Sequence, residues 1–223
     1  MEIAELKQQT SALFSVRLVP KADDIQMHFQ AGQCVNILTL RDQKTCFSIA
    51  SEPEEKNFIE LLIKTQAETP AHEISRMKVG DPLKISQPFG KGFPIERFKN
   101  HDLLLVGIGS GLSPLRSLLK SLLRKDHQFK QITFIYGARS RDEVPFTNDF
   151  DLWFKKIKAH IALTQPASAG PNIFQGRVTD FIPSLKLNAE TICCICGNKE
   201  MEEQVRILLE TKGVSRENIL LNY

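Results

Sequence analysis

The sequence predicts a β plus α/β architecture: an antiparallel β-barrel over residues 1–98, then a domain over 99–223 built on a parallel sheet with helices on both faces. Two textures and one turn carry this expectation. Before residue 98 the apolar runs are short and separated by clusters of Pro, Gly, Asp and Ser, the spacing of strands in a small barrel. After residue 100 continuous apolar runs alternate with leucines at helical spacing, the mark of a parallel sheet buried on both faces. Where the first of these runs ends, glycines crowd at Gly107, Gly109 and Gly111. A chain of 223 residues has room for two such domains and little more.

The barrel strands are expected at Ala12 to Val19, Gln33 to Leu40, Thr45 to Ile49, Phe58 to Thr65 and Pro82 to Ile85, with one short helix between Pro70 and Met77. Turn-rich pieces divide them, such as Pro20-Lys21-Ala22-Asp23-Asp24 and Val79-Gly80-Asp81-Pro82. The segment Gln87 to Pro94, dense in Pro and Gly, makes a junction. Beyond it, Asp102 to Val106 reads as a buried strand, and Leu115, Leu118, Leu119, Leu122 and Leu123 line one face of a helix. Ser113 suits the N-cap of that helix and Pro114 its first position, where a missing N–H costs nothing. Strands then follow at Gln131 to Tyr136, His160 to Thr164 and Thr191 to Ile195, with helices at Thr147 to Lys158, Val178 to Leu185 and Lys199 to Lys212.

Composition removes several function classes. Against 29 Lys plus Arg stand 26 Asp plus Glu, interspersed, for a formal charge of only +3, so the basic stripe of a nucleic-acid binder is missing. The longest strongly apolar stretch, Leu103 to Ile108, falls far short of the roughly 20 residues that cross a bilayer. The N-terminus lacks a secretory signal, and five cysteines, three of them crowded at Cys193, Cys194 and Cys196, read as reduced thiols of the cytoplasm.

The glycine-rich turn Val106-Gly107-Ile108-Gly109-Ser110-Gly111-Leu112-Ser113-Pro114 hands a buried strand to a helix. Glycines admit a ligand close to the backbone, and a helix start offers free N–H groups to a pyrophosphate. A tight turn without a ligand is the plainer alternative, since the third glycine of G-x-G-x-x-G would fall on Leu112. Cys193-Cys194-Ile195-Cys196-Gly197 ends another buried strand. No second pair stands at zinc-knuckle spacing, and no metal site is expected. Cys193 and Cys194 read as core, Cys34 and Cys46 as packing residues. Cys196 alone reaches the carboxyl edge of the sheet, where ligands of such folds bind. Phe47, in Thr45-Cys46-Phe47-Ser48-Ile49-Ala50-Ser51, is core or cofactor platform.

These segments, in this order, resemble the ferredoxin-NADP reductase superfamily of flavin-dependent oxidoreductases over nearly the whole chain. The flavin motif Arg-x-Tyr-Ser corresponds to Thr45-Cys46-Phe47-Ser48, the nucleotide motif G-x-G-x-x-P to Gly109-Ser110-Gly111-Leu112-Ser113-Pro114, and Cys-Gly-x-x-x-Met to Cys196-Gly197-Asn198-Lys199-Glu200-Met201. Phe29-Gln30-Ala31-Gly32-Gln33, Gly80-Asp81 with Pro88-Phe89-Gly90, and Tyr136-Gly137-Ala138-Arg139 agree as well. The resemblance implies a flavin-binding barrel and a Rossmann-like NAD(P)-binding domain. FAD would meet Thr45, Phe47, Ser48, Ile49, Ala50, Lys64, Thr69 and the terminal Tyr223. NADPH or NADH would meet Gly107, Gly109, Ser110, Gly111, Pro114, Gly137, Arg139, Cys196, Gly197 and Met201. Ser48, near the flavin N5, and Cys196, bordering the nicotinamide, would be the catalytic pair.

Two departures and two affinities refine this. Thr45 stands where the family has an arginine fork for the flavin pyrophosphate, leaving Lys44 or Lys64 to substitute, and Ala71 replaces an expected Ser. A non-catalytic nucleotide-binding or regulatory subunit that has lost flavin is therefore the alternative to an FAD-dependent reductase. The run Pro88 to Glu96 is similar to electron-transfer subunits of hydrogenase, sulfite reductase and dihydroorotate dehydrogenase complexes. Their cysteine-rich cluster segment has no counterpart before Tyr223, so the electron acceptor is expected to be a separate ferredoxin-like protein or a small molecule. Arg139 and Arg141 lean toward NADPH, with Asp142 and Glu143 beside them.

Overall fold

A computed structural model describes residues 1–21, 27–38, 44–67, 69–124, 129–168 and 170–222. Contacts divide the chain into two units, one of Met1–Phe93 with Ser113–Lys125, the other of Pro94–Leu112 with Asp126–Asn222.

The first unit contains strands β1 (Glu2–Gln8), β2 (Leu13–Val19), β3 (Cys34–Leu38), β4 (Lys44–Ser48) and β5 (Ile59–Lys64), helix α1 (Pro70–Ser75) and strand β6 (Lys84–Ile85). Two three-stranded sheets form, β1-β2-β5 and β4-β3-β6, with every paired strand antiparallel. Isolated bridges Ile49↔Leu61 and Glu2↔Pro82 link one sheet to the other, giving the barrel-like closure. Alternation decides what faces inward. Val35 and Ile37 of β3 are fully buried and join Val16, Leu18, Ile59, Leu61 and Ile63 in one core, leaving Cys34 and Asn36 on the opposite face. Strand β1 was not expected, because its Glu2, Glu5 and Lys7 mask the half-buried pattern of an edge strand.

The second unit holds a parallel sheet. From residue 102 the chain runs β7 (Asp102–Ile108), helix α2 (Leu112–Arg124), β8 (Gln131–Ala138), α3 (Thr147–Lys156), β9 (Lys158–Leu163), β10 (Ile173–Gln175), α4 (Val178–Phe181), β11 (Ile192–Cys196), α5 (Lys199–Thr211) and β12 (Ile219–Leu221). The strand order is β10-β9-β8-β7-β11-β12, all parallel. From β7 the chain winds one way to β8 and the other way to β11, so the order reverses at β7, where ligands of open parallel sheets bind. Leu104, Val106, Ile135, Cys193 and Ile195 are buried by α4 and α5 residues such as Val178, Met201 and Val205. Strands β10 and β12, three residues each, are too short to show a period. The helix expected at Val178 to Leu185 is α-helical only to Phe181 and tightens to 3₁₀ over Ile182–Ser184, since Pro183 has no N–H to give.

Most of α2 counts with the first unit, although the strand–helix alternation assigns it to the second. Its polar side chains explain this. The Arg116 guanidinium donates to the Ala50 carbonyl at 2.8 Å and pairs with Glu60 at 2.9 Å, both side chains under a tenth exposed. Ser121 donates to Glu54 and Arg124 to Glu52. The helix begins at Leu112, after a 3₁₀ turn at Gly109–Gly111, and not at Pro114; Ser113 Oγ donates to the Leu62 carbonyl instead of capping. Among the described residues no helix is long and apolar enough to cross a membrane.

Candidate functional site

In the second unit the register sets Gly107 of β7 beside Tyr136 of β8 on one side and Cys196 of β11 on the other. One side chain's absence holds this junction together. A Cβ on Gly111 would lie 2.2 Å from the Cys196 carbonyl oxygen and 2.9 Å from the Gly197 nitrogen, so the turn after β7 packs backbone on backbone against the turn after β11. Gly109 differs. Its φ of +54 suits glycine, and a Cβ there would meet nothing within 4 Å, so the space above it is open. The Tyr136 hydroxyl donates to the Gly109 carbonyl at 3.0 Å and pins the turn from below; Ser110 is exposed.

Cys196, half-buried at the end of β11, has its thiol pushed up to about 12 by burial and then by the nearby Glu202 carboxylate. It is a neutral thiol at physiological pH. Gly197 admits Met201 and Ile108, whose side-chain carbons would lie 2.2 and 2.7 Å from a Cβ, and its N–H donates to Glu202 Oε1 at 2.9 Å. Asn198 caps α5 by accepting the Met201 N–H at 2.8 Å.

A cleft of about 310 Å³ opens beside this junction, lined by Ile108, Gly137, Arg139, Thr164, Arg177 and Met201 among others. Gly137 is at the limit of closeness, with Val178 and Ile108 carbons 2.9 and 3.0 Å from a Cβ. The Arg139 guanidinium, mostly exposed, grips Glu143 through two contacts of 3.0 and 2.5 Å, which hold the Glu143 carboxyl below its usual range. Backbone amides, an open glycine turn and a polar-rimmed cleft at the strand ends fit a dinucleotide. Tyr136, Glu202, Thr164 and Arg177 were not expected at the site from sequence. Of these only Glu202, an acid in the first turn of α5, carried a local signal.

In the first unit β4 is the edge of its sheet. Thr45 and Phe47 stand opposite the buried Ile37 and Val35, and Phe47 packs partly on the barrel core with the rest of its surface accessible. Ser48 ends the strand, half-buried, with Ile49 and Ala50 fully buried behind it. An aromatic face, a hydroxyl and an edge strand fit a flavin ring. The pyrophosphate end fits less well. Thr45 is neutral, Lys44 and Lys64 are exposed, and Thr69 Oγ1 donates to the Gln66 carbonyl at 2.6 Å instead of capping α1. Pro114 lies in the first turn of α2, and Tyr223 falls outside the described residues. Cys46 is exposed, which corrects the expectation that it serves packing, and Cys34 is half-buried.

The gamma subunit of sulfhydrogenase 1 from Pyrococcus furiosus is 30% identical over 217 residues, covering 96% of this chain and 74% of that relative. This chain belongs to the ferredoxin-NADP reductase superfamily. It is thus an oxidoreductase of the NAD(P)H-dependent flavin reductase class, and the oxidoreductase NAD-binding domain model matches residues 105–206. A subunit of the Na⁺-translocating NADH-quinone reductase from Neisseria gonorrhoeae is 32% identical over 198 residues, 79% of this chain but 48% of its own length, so the chain spans about half of that relative. Among solved structures, the FAD/NAD-binding domain of nitric oxide dioxygenase from Vibrio cholerae superposes with a TM-score of 0.85 at 19% identity, covering 99% and 95% of the two chains. A ferredoxin NADP⁺ reductase from N. gonorrhoeae, with bound FAD and NADP, gives 0.81 at 22%, covering 95% and 90%. Both share the fold.

Proposed function

We propose that this member of the ferredoxin-NADP reductase superfamily takes two electrons from NAD(P)H onto FAD and hands them to a separate redox protein, as an electron-transfer subunit in the cytoplasm. The observation that carries this reading is the junction of the Gly109–Gly111 turn with Cys196–Gly197, at the point where the strand order reverses. A bound FAD supplies a hydride acceptor at N5 for the nicotinamide C4; the protein's part is positioning and exclusion of water. Gly109 leaves room for the pyrophosphate, and Gly111 brings the two turns together. Cys196, held neutral by burial, gives the nicotinamide an uncharged thiol border. Ser48 holds a hydroxyl proton for the flavin N5, and Phe47 backs the ring.

Glu143 guides the coenzyme reading. With its fork engaged by Glu143, Arg139 is less available to a 2′-phosphate, and an acidic side chain at this edge suits a free ribose hydroxyl. NADH is the favoured donor, against the lean toward NADPH that Arg139 and Arg141 gave with Asp142 and Glu143 beside them. For the acceptor, support comes from the similarity of Pro88 to Glu96 to hydrogenase electron-transfer subunits and from relatives that are themselves named as subunits. Thr45 favours a second reading, a nucleotide-binding subunit without flavin. The absorption spectrum of the purified protein decides: flavin bands, or their appearance on adding FAD, are expected, and a protein that stays colourless and binds no FAD would sink the reductase reading. Stopped-flow bleaching by NADH against NADPH then reads the coenzyme.

A further inference from the structure

Strands β3 and β4 run antiparallel, with Cys34 opposite Ser48 and Cys46 opposite Asn36. Residues two apart share a face, so Cys34 and Cys46 are diagonal neighbours on the face opposite the buried Val35 and Ile37. Cys34 Sγ donates to the Phe89 carbonyl at 3.6 Å. Cys46 is exposed, whereas Cys34 is half-buried. Neither thiol belongs to the nucleotide site described above.

We propose that Cys34 and Cys46 form a reversible dithiol–disulfide switch, oxidised by hydrogen peroxide and acting on the flavin strand. Burial and the neighbouring Cys46 push the Cys34 thiol up to about 12, so the exposed Cys46 meets the oxidant first. Its sulfur attacks one peroxide oxygen; an S–O bond forms, the O–O bond breaks, and Cys46 sulfenic acid and water result. The Cys34 sulfur then attacks the Cys46 sulfur. An S–S bond forms, the S–O bond breaks, and the hydroxyl leaves as a second water carrying the Cys34 proton. Two electrons pass from the thiols to one peroxide.

The diagonal placement gives the switch a consequence. Diagonal Cβ atoms sit up to about 7 Å apart, against about 4 Å in a disulfide, so closing the bond shears β4 along β3. Phe47 and Ser48 lie on that moving strand, and the effect on flavin rests on the function proposed above.

The test treats the full-length protein with hydrogen peroxide, alkylates the remaining thiols and maps peptides by mass. The expected result is a linked Cys34–Cys46 peptide pair, reversed by dithiothreitol, with slower flavin reduction by NADH while the bond persists. In Cys34→Ser the link is lost and Cys46 proceeds to sulfinic acid. Wild-type Cys46 going to sulfinic acid while Cys34 stays alkylatable, or Cys46 joining two chains, would overturn the proposal, as would an unchanged reduction rate in linked flavoprotein. Mass mapping needs no flavin. A colourless protein that forms the link defeats the flavin reading and leaves the thiol site standing, and a yellow one that does not form it defeats the switch alone.

Discussion

At the ends of β7 and β11 the second unit packs main chain against main chain, with Gly111 leaving no room for even one carbon beside Cys196. On β4 of the first unit the residues proposed to meet flavin are half-exposed side chains on an edge strand. The difference shows in what each has kept. The glycine junction retains every residue that its geometry demands, while β4 carries Thr45 where an arginine fork would serve and Phe47 where a tyrosine is usual in the superfamily. Sites made of backbone tolerate no substitution without a structural cost; sites made of exposed side chains lose a contact and keep the fold.

The sharpest break of this contrast is Gly111→Val. A Cβ would lie 2.2 Å from a carbonyl oxygen that belongs to the sheet, and the added methyls worsen the overlap, so we expect a loss of about 4 kcal/mol or more and a melting temperature lower by roughly 10 °C. Gly109→Val tests the other half. Its Cβ meets open space, leaving only the left-handed φ to disfavour, at about 1–2 kcal/mol. The protein should fold, hold its flavin and be reduced more slowly by NADH. Equal melting temperatures for the two variants would break the comparison, and loss of flavin from Gly109→Val would contradict the assignment of that turn to the dinucleotide.

Next in size is Thr45→Arg, which bears on the first unit. A charge-assisted fork contributes about 1.5–3 kcal/mol where it forms, so FAD should bind roughly 10- to 100-fold more tightly, measured by titration of apoprotein. No gain in affinity would mean that the pyrophosphate does not run past position 45.

How much of this was legible in the sequence follows the same division. The β7 turn was readable because a glycine run between a buried strand and a helix arises for few reasons besides a close backbone approach, and Cys196 because it closes a wholly apolar strand. The membership of α2 was not, since Arg116 and Glu60 meet only after folding and are 56 positions apart. Tyr136 is legible in the Tyr136-Gly137-Ala138-Arg139 segment but without a role; that its hydroxyl reaches the Gly109 carbonyl depends on the parallel register of β7 and β8. The diagonal placement of Cys34 and Cys46 depends on the β3–β4 register in the same way. Strands β10 and β12 lay below the length at which any periodicity is visible.

A buried thiol in the second unit makes its stability depend on pH. Burial pushes the Cys193 thiol up to about 12, against about 9 for an exposed one, so the folded state binds a proton that the unfolded chain has released. The stability this contributes is complete below pH 9 and is lost as pH rises toward 12, at up to about 1.4 kcal/mol per pH unit. Cys193→Ala should flatten the alkaline fall in denaturation midpoint. Equal slopes for wild type and Cys193→Ala would show that this thiol does not govern the alkaline limb.

The smallest effect expected is at Glu143. Its carboxylate holds the Arg139 guanidinium through two contacts in a largely solvated setting, so the pair is weak and a 2′-phosphate can compete for the same fork. In Glu143→Gln the fork loses its charged partner and the rim loses a negative charge that repels phosphate. Both changes act in one direction. The ratio of NADH to NADPH reduction rates should fall by a few-fold, while Arg139→Ala should raise it, because the remaining carboxylate repels the phosphate with no arginine to offset it. Opposite shifts in the two variants would assign coenzyme choice to this pair; identical ratios in both would move that choice to Arg177 or Arg141, which also stand at the carboxyl edge of the sheet.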